Sequence, residues 1–270
     1  MGGSMVVLLG LAACGGERVR LGDAPSLTAT APPPLTTTGG PGASTEEANS
    51  RGPTSAVTGG SVADASSDAG SLPAGCQRDR VSGDEVLWVG DSWLTIPGTQ
   101  RTQVESLARA AGALGTDESY VSAAAPASAL AAIAEQYAER QSGDPKVRVL
   151  IMDGGTWDTI LTNAAQASIR NVTSTFQQFL ARVSDDGSVE HIIYMLPPEL
   201  PTIPGVAELR PGLTAACQAS LVPCHFLDLQ PLWEGHPEYT APDGIQASES
   251  GATVIAEAIW TIMVDHCIAQ

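Results

Sequence analysis

Four apolar residues in a row, Val86-Leu87-Trp88-Val89, run directly into Gly90-Asp91-Ser92, and no other stretch constrains the chain as strongly. A continuous apolar run of this length is the pattern of a central parallel strand covered on both faces. Gly90 allows a sharp turn, so Ser92 is expected just past the carboxyl end of the strand. Open α/β sheets bind ligands at that edge, where the strand order reverses. A serine presented there is a candidate nucleophile. The plainer role for Asp91 and Ser92 is to cap the helix that follows.

The remainder of the chain alternates between the two periodicities. Strands are expected at Ser119-Tyr120-Val121, Val147 to Met152, His191 to Leu196 and His225 to Leu229. Helical spacing covers Arg101 to Ala113, Ala127 to Arg140, Ala167 to Val183 and Ser248 to Met263. Pro197 to Pro211 reads as a long proline-rich loop, with a short helix over Gly212 to Ser220. Alternating strands and helices predict an α/β fold, a three-layer α/β/α flavodoxin-like sheet of five parallel strands in the order 2-1-3-4-5. In that order the first and third strands flank the switch point. Gly90-Asp91-Ser92 ends the first, and Gly154-Gly155-Thr156-Trp157-Asp158 ends the third, so two glycine turns flank the expected crevice.

The chain has 270 residues but no Phe, Trp or Tyr before Trp88. Residues 15–80 are dominated by Gly, Pro, Ser, Thr and Ala and cannot bury enough apolar surface to offset their ordering entropy. They read as a disordered linker, leaving one domain over residues 81–270. A formal charge of −17, with Lys146 the only lysine, excludes phosphate backbones as partners. Met5 to Ala13 is a short apolar run of the secretory type, too short to span a bilayer. Cys14, preceded by Leu11-Ala12-Ala13, resembles a bacterial lipobox, although no Lys or Arg precedes the apolar run. That resemblance implies cleavage after residue 13, lipidation of Cys14 and a lipid anchor holding the protein in the cell envelope. An ordinary signal peptide with an unmodified Cys14 is the alternative; both export the chain. Four further cysteines in an oxidising compartment allow three pairings. Cys217–Cys224, close in sequence, and Cys76–Cys267, joining the domain's ends, are preferred. No Cys-x-x-Cys or histidine pair at ligand spacing points to a metal, and no cofactor is expected.

Around these residues the sequence resembles the SGNH, or GDSL, hydrolase superfamily over Glu85 to about Val264. Gly90-Asp91-Ser92 matches the nucleophile block and Tyr120-Val121-Ser122-Ala123 the second block. Gly154-Gly155-Thr156-Trp157-Asp158 matches the third. Pro242-Asp243-Gly244-Ile245-Gln246-Ala247-Ser248 matches the fifth, usually Asp-x-x-His. The resemblance implies a metal-independent serine esterase, lipase or carbohydrate deacetylase. Its oxyanion hole would come from the serine N–H, a second-block glycine and a third-block asparagine. Here Ala123 stands for the glycine, Trp157 or Thr156 for the asparagine, beside Gly155, and Gln246 for the histidine. A lost oxyanion donor costs about 10²–10³ in rate, and a lost general base about 10²–10⁴.

Asp243 then either hydrogen-bonds Gln246 or acts as a weak base. His236, in the same loop, is a candidate replacement base; its plainer role is a solvated loop residue. His225 reads as structural, and His191 and His266 carry no assigned role. Three functions remain. The first is a hydrolase of small esters or acetylated glycans in the envelope, with Ser92 attacking, the N–H groups of Ser92 and Ala123 holding the oxyanion, and His236 or Asp243 assisting. The second is a non-catalytic relative that binds a glycan or acyl ligand, and the third a purely structural module.

Overall fold

Val86, Leu87, Trp88 and Val89 are each at most 1 % exposed, which requires cover on both faces of their strand. The structure, a computed structural model, describes Cys76 and residues 81–269. The expected signal segment with Cys14, and the 15–80 linker apart from Cys76, lie outside the described residues. After a single 3₁₀ turn at Gly83–Glu85 the order is β1 (Val86–Val89), α1 (Ser92–Thr95), α2 (Gln100–Ala110), β2 (Val121–Ser122) and α3 (Leu130–Gln141). Next come β3 (Val149–Met152), α4 (Thr156–Thr162), α5 (Gln166–Asp186), β4 (His191–Leu196) and α6 (Val206–Gln218). The chain closes with β5 (Cys224–Asp228), α7 (Gln230–Trp233), a 3₁₀ turn at Pro237–Tyr239 and α8 (Glu249–Asp265).

The five strands are all parallel, in the order β2-β1-β3-β4-β5. The order reverses between β1 and β3, as the periodicity predicts. Right-handed crossovers on either side of that reversal send helices to opposite faces. Accordingly α2 packs on α8, while α5 packs on both α3 and α6. The apolar stripe of α5 (Ile169, Val172, Phe176, Phe179, Leu180, Val183) is buried, and Phe176 meets Tyr194 of β4 with ring centres 4.5 Å apart. Among the described residues no helix is long and apolar enough to cross a membrane.

Two elements differ from the sequence expectation. The stretch before Pro211 is not all loop: α6 starts at Val206 and carries Pro211 inside it. Proline normally breaks a helix interior. Here Val206, Leu209, Leu213, Ala216 and Cys217 are all buried, so tertiary packing outweighs one lost backbone bond. Thr156–Thr162, read only as the end of a glycine turn, is the helix α4.

Disulfides join Cys217 to Cys224 and Cys76 to Cys267. The second closes a separation of 191 residues and ties the chain just ahead of β1 to the end of α8. Cross-linking so large a loop removes much denatured-state entropy. Cys267→Ser is therefore expected to lower unfolding stability by about 2–5 kcal/mol, measured as a lower guanidinium midpoint for the oxidised protein; an unchanged midpoint would show that the bond is energetically idle.

Candidate functional site at the carboxyl edge of the sheet

The turn that carries Ser92 is held from three directions. Gly90 donates its N–H to Gln136 Oε1 (2.9 Å) and accepts from Gln136 Nε2 (3.2 Å), so one amide on α3 pairs both backbone groups of the glycine. The Gly90 carbonyl also accepts from Ala125 N (3.0 Å). From the β3 side, Asp91 N donates to Asp153 Oδ1 (2.7 Å). A β-carbon on Gly90 would lie 1.9 Å from that oxygen, and φ is +154°, so only glycine fits. The Asp91 carboxylate turns inward. Oδ1 accepts from Trp93 N (3.0 Å) and caps α1, and Oδ2 accepts from the Thr156 hydroxyl (2.9 Å).

Ser92 is thereby the first residue of α1, beyond the carboxyl end of β1 and beside the β3 turn. It is 9 % exposed, and its hydroxyl has no hydrogen-bond partner among the described residues. Its N–H is likewise unspent there, because the first N–H groups of a helix lack intrahelical acceptors. An unpartnered hydroxyl and an unpartnered N–H therefore sit on the same residue.

Asp153 is fully buried beside the Asp91 carboxylate, and its Oδ2 has no partner. Burial first, and the Asp91 charge second, push its carboxyl well above the usual carboxylate range and favour its protonated form. The same pair of effects raises Asp158, burial leading; its Oδ2 accepts Leu130 N (2.9 Å) ahead of α3. Tyr194 OH donates to Gly154 O (2.6 Å) and closes the β3 turn from β4. Asp158 was legible as the end of the Gly154–Asp158 block, but Gln136, Asp153 and Tyr194 were not legible as site residues. The only sequence signal was Asp153, a charged residue ending an apolar strand.

The other expected site residues are not drawn together around Ser92. Ala123 N donates to Trp88 O (2.8 Å), extending the β1–β2 ladder, so this N–H is spent and is not an oxyanion donor. The residue of that loop with glycine-like backbone is Ala127, exposed with φ +58°, which no sequence pattern distinguished. The Thr156 hydroxyl is committed to Asp91 and buried, which removes it as a donor to substrate. Gly155 (φ +94°) caps α4 and packs under Val172. Trp157 is half-buried at the start of α4, with its indole N–H unpaired among the described residues.

Asp243 does not orient the Gln246 side chain: its Oδ1 accepts the backbone N–H of Ile245 (2.9 Å) and Gln246 (3.1 Å), stabilising its own exposed turn. His236 is not the partner of Ser92. Its Nδ1 pairs with Glu238 (2.9 Å), its ring stacks on Tyr239 (4.5 Å between centres), and nothing joins it to Ser92. It lines a pocket of about 360 Å³ with Leu200, Thr202, Gln230, Trp233 and Gly244, at the same sheet edge. Trp233 contacts Trp93, the neighbour of Ser92, edge to face at 5.7 Å.

Two outcomes test this geometry. A carboxyl whose folded pKa exceeds its unfolded value stabilises the fold when protonated, and that contribution is lost as pH rises above the unfolded value of about 4. Asp153→Asn keeps an acceptor for Asp91 N without the charge. Its melting temperature should hold up better than wild type as pH rises above that value, and the two curves should converge below it. Parallel curves would show that Asp153 is ionised. Gly90→Ala should destabilise by about 2–5 kcal/mol through strain and overpacking, read by chemical denaturation.

By sequence, no family model matches the chain, and no curated protein does. Solved structures do match its fold. A family 3 carbohydrate esterase from Clostridium thermocellum aligns at a TM-score of 0.55 and 15% identity, covering 68% of this chain and 98% of that one. A protein described as a GDSL-like lipase from Parabacteroides merdae aligns at 0.53 and 15%, covering 69% and 98%. A carbohydrate esterase family 3 protein from Talaromyces cellulolyticus aligns at 0.53 and 14%, covering 67% and 96%. With five parallel strands in the order 2-1-3-4-5 and a serine turn closing the first of them, the described chain has the SGNH hydrolase fold shared by GDSL-type lipases and carbohydrate esterases.

Proposed function

We propose that the protein is an exported serine ester hydrolase that acts on small acyl esters or acetylated glycans in the cell envelope, with Ser92 as nucleophile. The observation that carries this reading is the Gly90–Ser92 turn. It puts a free hydroxyl and a free N–H on one residue at the switch point of the sheet. The names of the structural neighbours, carbohydrate esterases and a lipase, support an ester as the substrate class.

In this reading Ser92 Oγ attacks the acyl carbon, and the negative charge on the carbonyl oxygen is met by the Ser92 N–H. Collapse expels the alcohol and leaves an acyl serine, which water then hydrolyses. Each transfer moves a proton, and no imidazole is positioned to take it. Turnover is therefore slow, and fastest for esters whose leaving group needs no protonation. A second reading, a module that binds an acyl or glycan ligand without cleaving it, is favoured by the Asp243 carboxylate being engaged by its own turn and by Gln246 in place of histidine.

A fluorophosphonate probe and p-nitrophenyl acetate separate the two. The hydrolase reading expects labelling of wild type that Ser92→Ala abolishes, and an acceleration of about 10² or more in Gln246→His as a base is restored. Labelling confined to Gln246→His supports the binding module; no labelling of either protein ends the nucleophile assignment. The anchor is part of the same proposal. Mass spectrometry of membrane extracts should find a diacylglyceryl group on an amino-terminal Cys14, and an unmodified cysteine in the soluble fraction would remove it.

A further inference from the structure

The chain has four histidines, and three of them meet at the sheet edge opposite Ser92. His191 is the first residue of β4 and His225 lies at the start of β5. Ile193 is the register partner of His225, and side chains two apart on a strand share a face, so His191 and His225 are diagonal neighbours. Their rings touch through nitrogen: His191 Nδ1 lies 3.2 Å from His225 Nε2. His266 follows the last turn of α8, with its ring centre 4.1 Å from that of His225. Its backbone is pinned by the neighbouring Cys76–Cys267 disulfide. A mainly polar cavity of about 360 Å³, lined by Arg148, Glu190, His191 and Cys267, opens beside the rings.

We propose that His191, His225 and His266 form a binding site for a borderline transition-metal cation of the Zn²⁺ or Ni²⁺ type. Imidazole nitrogen is the preferred ligand for these ions. Two nitrogens each about 2.0–2.1 Å from a tetrahedral ion stand roughly 3.3–3.4 Å apart, close to the spacing already present between the strands. Binding replaces the hydrogen bond between His191 and His225 with the metal, both rings turning about their side-chain bonds and His266 moving in as the third ligand. Among the described residues no three ligands yet converge on one point. His266 is exposed and completes the set by swinging its ring toward the pair. The site lies at the amino-terminal edge of the sheet, away from Ser92, so its role is to brace the end of α8 against β4 and β5.

The test is titration of Zn²⁺ into the full chain carrying Cys14→Ser, so that no free thiol competes. One Zn²⁺ per chain and a melting temperature that rises with Zn²⁺ concentration are expected, since only the folded state holds the site. Outer-shell changes already cost 10–100-fold in metal affinity, so His191→Ala, His225→Ala and His266→Ala should each weaken binding by about a hundredfold or more. Absence of binding, or unchanged affinity in any of the three variants, overturns the proposal. Should a variant fail to fold, Co²⁺ on the parent protein decides: intense visible bands of a four-coordinate site support it, and the weak bands of six-coordinate Co²⁺ overturn it.

Discussion

The carboxyl of Asp153 lies against the α-carbon of Gly90, with no room between them for even a methyl group. That contact pins the carboxyl ends of β1 and β3, the two strands at which the sheet reverses direction. With Gly90 held from the other side by Gln136, the backbone leaves β1 along one path only. Asp91 is then forced inward onto Thr156, and Ser92 emerges as the first residue of a helix with its own N–H unspent. The upward shift of the Asp153 carboxyl follows from the same crowding. Two carboxyls meet in a buried position, and burial together with the neighbouring charge disfavours ionisation of Asp153.

Hydrogen-bond accounting explains why the expected site residues do not gather round the serine. A backbone N–H beside a parallel strand is more stable in the ladder than held open for a ligand, and Ala123 is used in this way. A threonine hydroxyl buried next to a carboxylate donates to it, as Thr156 does. Asp243 has no imidazole to orient, so its carboxylate closes its own turn. Among the described residues beside the turn, the buried Asp153 Oδ2, the Ser92 hydroxyl and N–H and the Trp157 indole are left unspent. In the proposed reaction the Ser92 groups and the indole would serve attack and partial oxyanion support, with no group placed for proton transfer.

Helix α8 links the two edges of the sheet. It begins beside the Asp243–Gln246 turn, where Ser248 Oγ accepts Gly251 N and donates to Glu238 O. It ends at His266, against His225. Burial and then the neighbouring imidazoles hold His225 down to about 4, so that ring is neutral at physiological pH. Bracing the far end of α8 therefore steadies the helix whose other end carries the carboxyl-edge loop.

Period and punctuation were enough to place the sheet, its strand order and the serine turn. A run such as Val86–Val89 is apolar on every side, and a glycine at its end has few other uses. The helix through Pro211 was hidden because the burial of Leu209 and Leu213, in a helix packed on α5, depends on the neighbour and not on the local sequence. Gln136, 46 residues from the glycine it clamps, and Asp153 carry no motif at all. The same holds for the meeting of His191, His225 and His266. Residue type and spacing determine which backbone a segment adopts, because those preferences act within a few residues. Which polar groups end up paired, which stay free and which lose their charge is decided only when distant segments are packed together and water is removed between them.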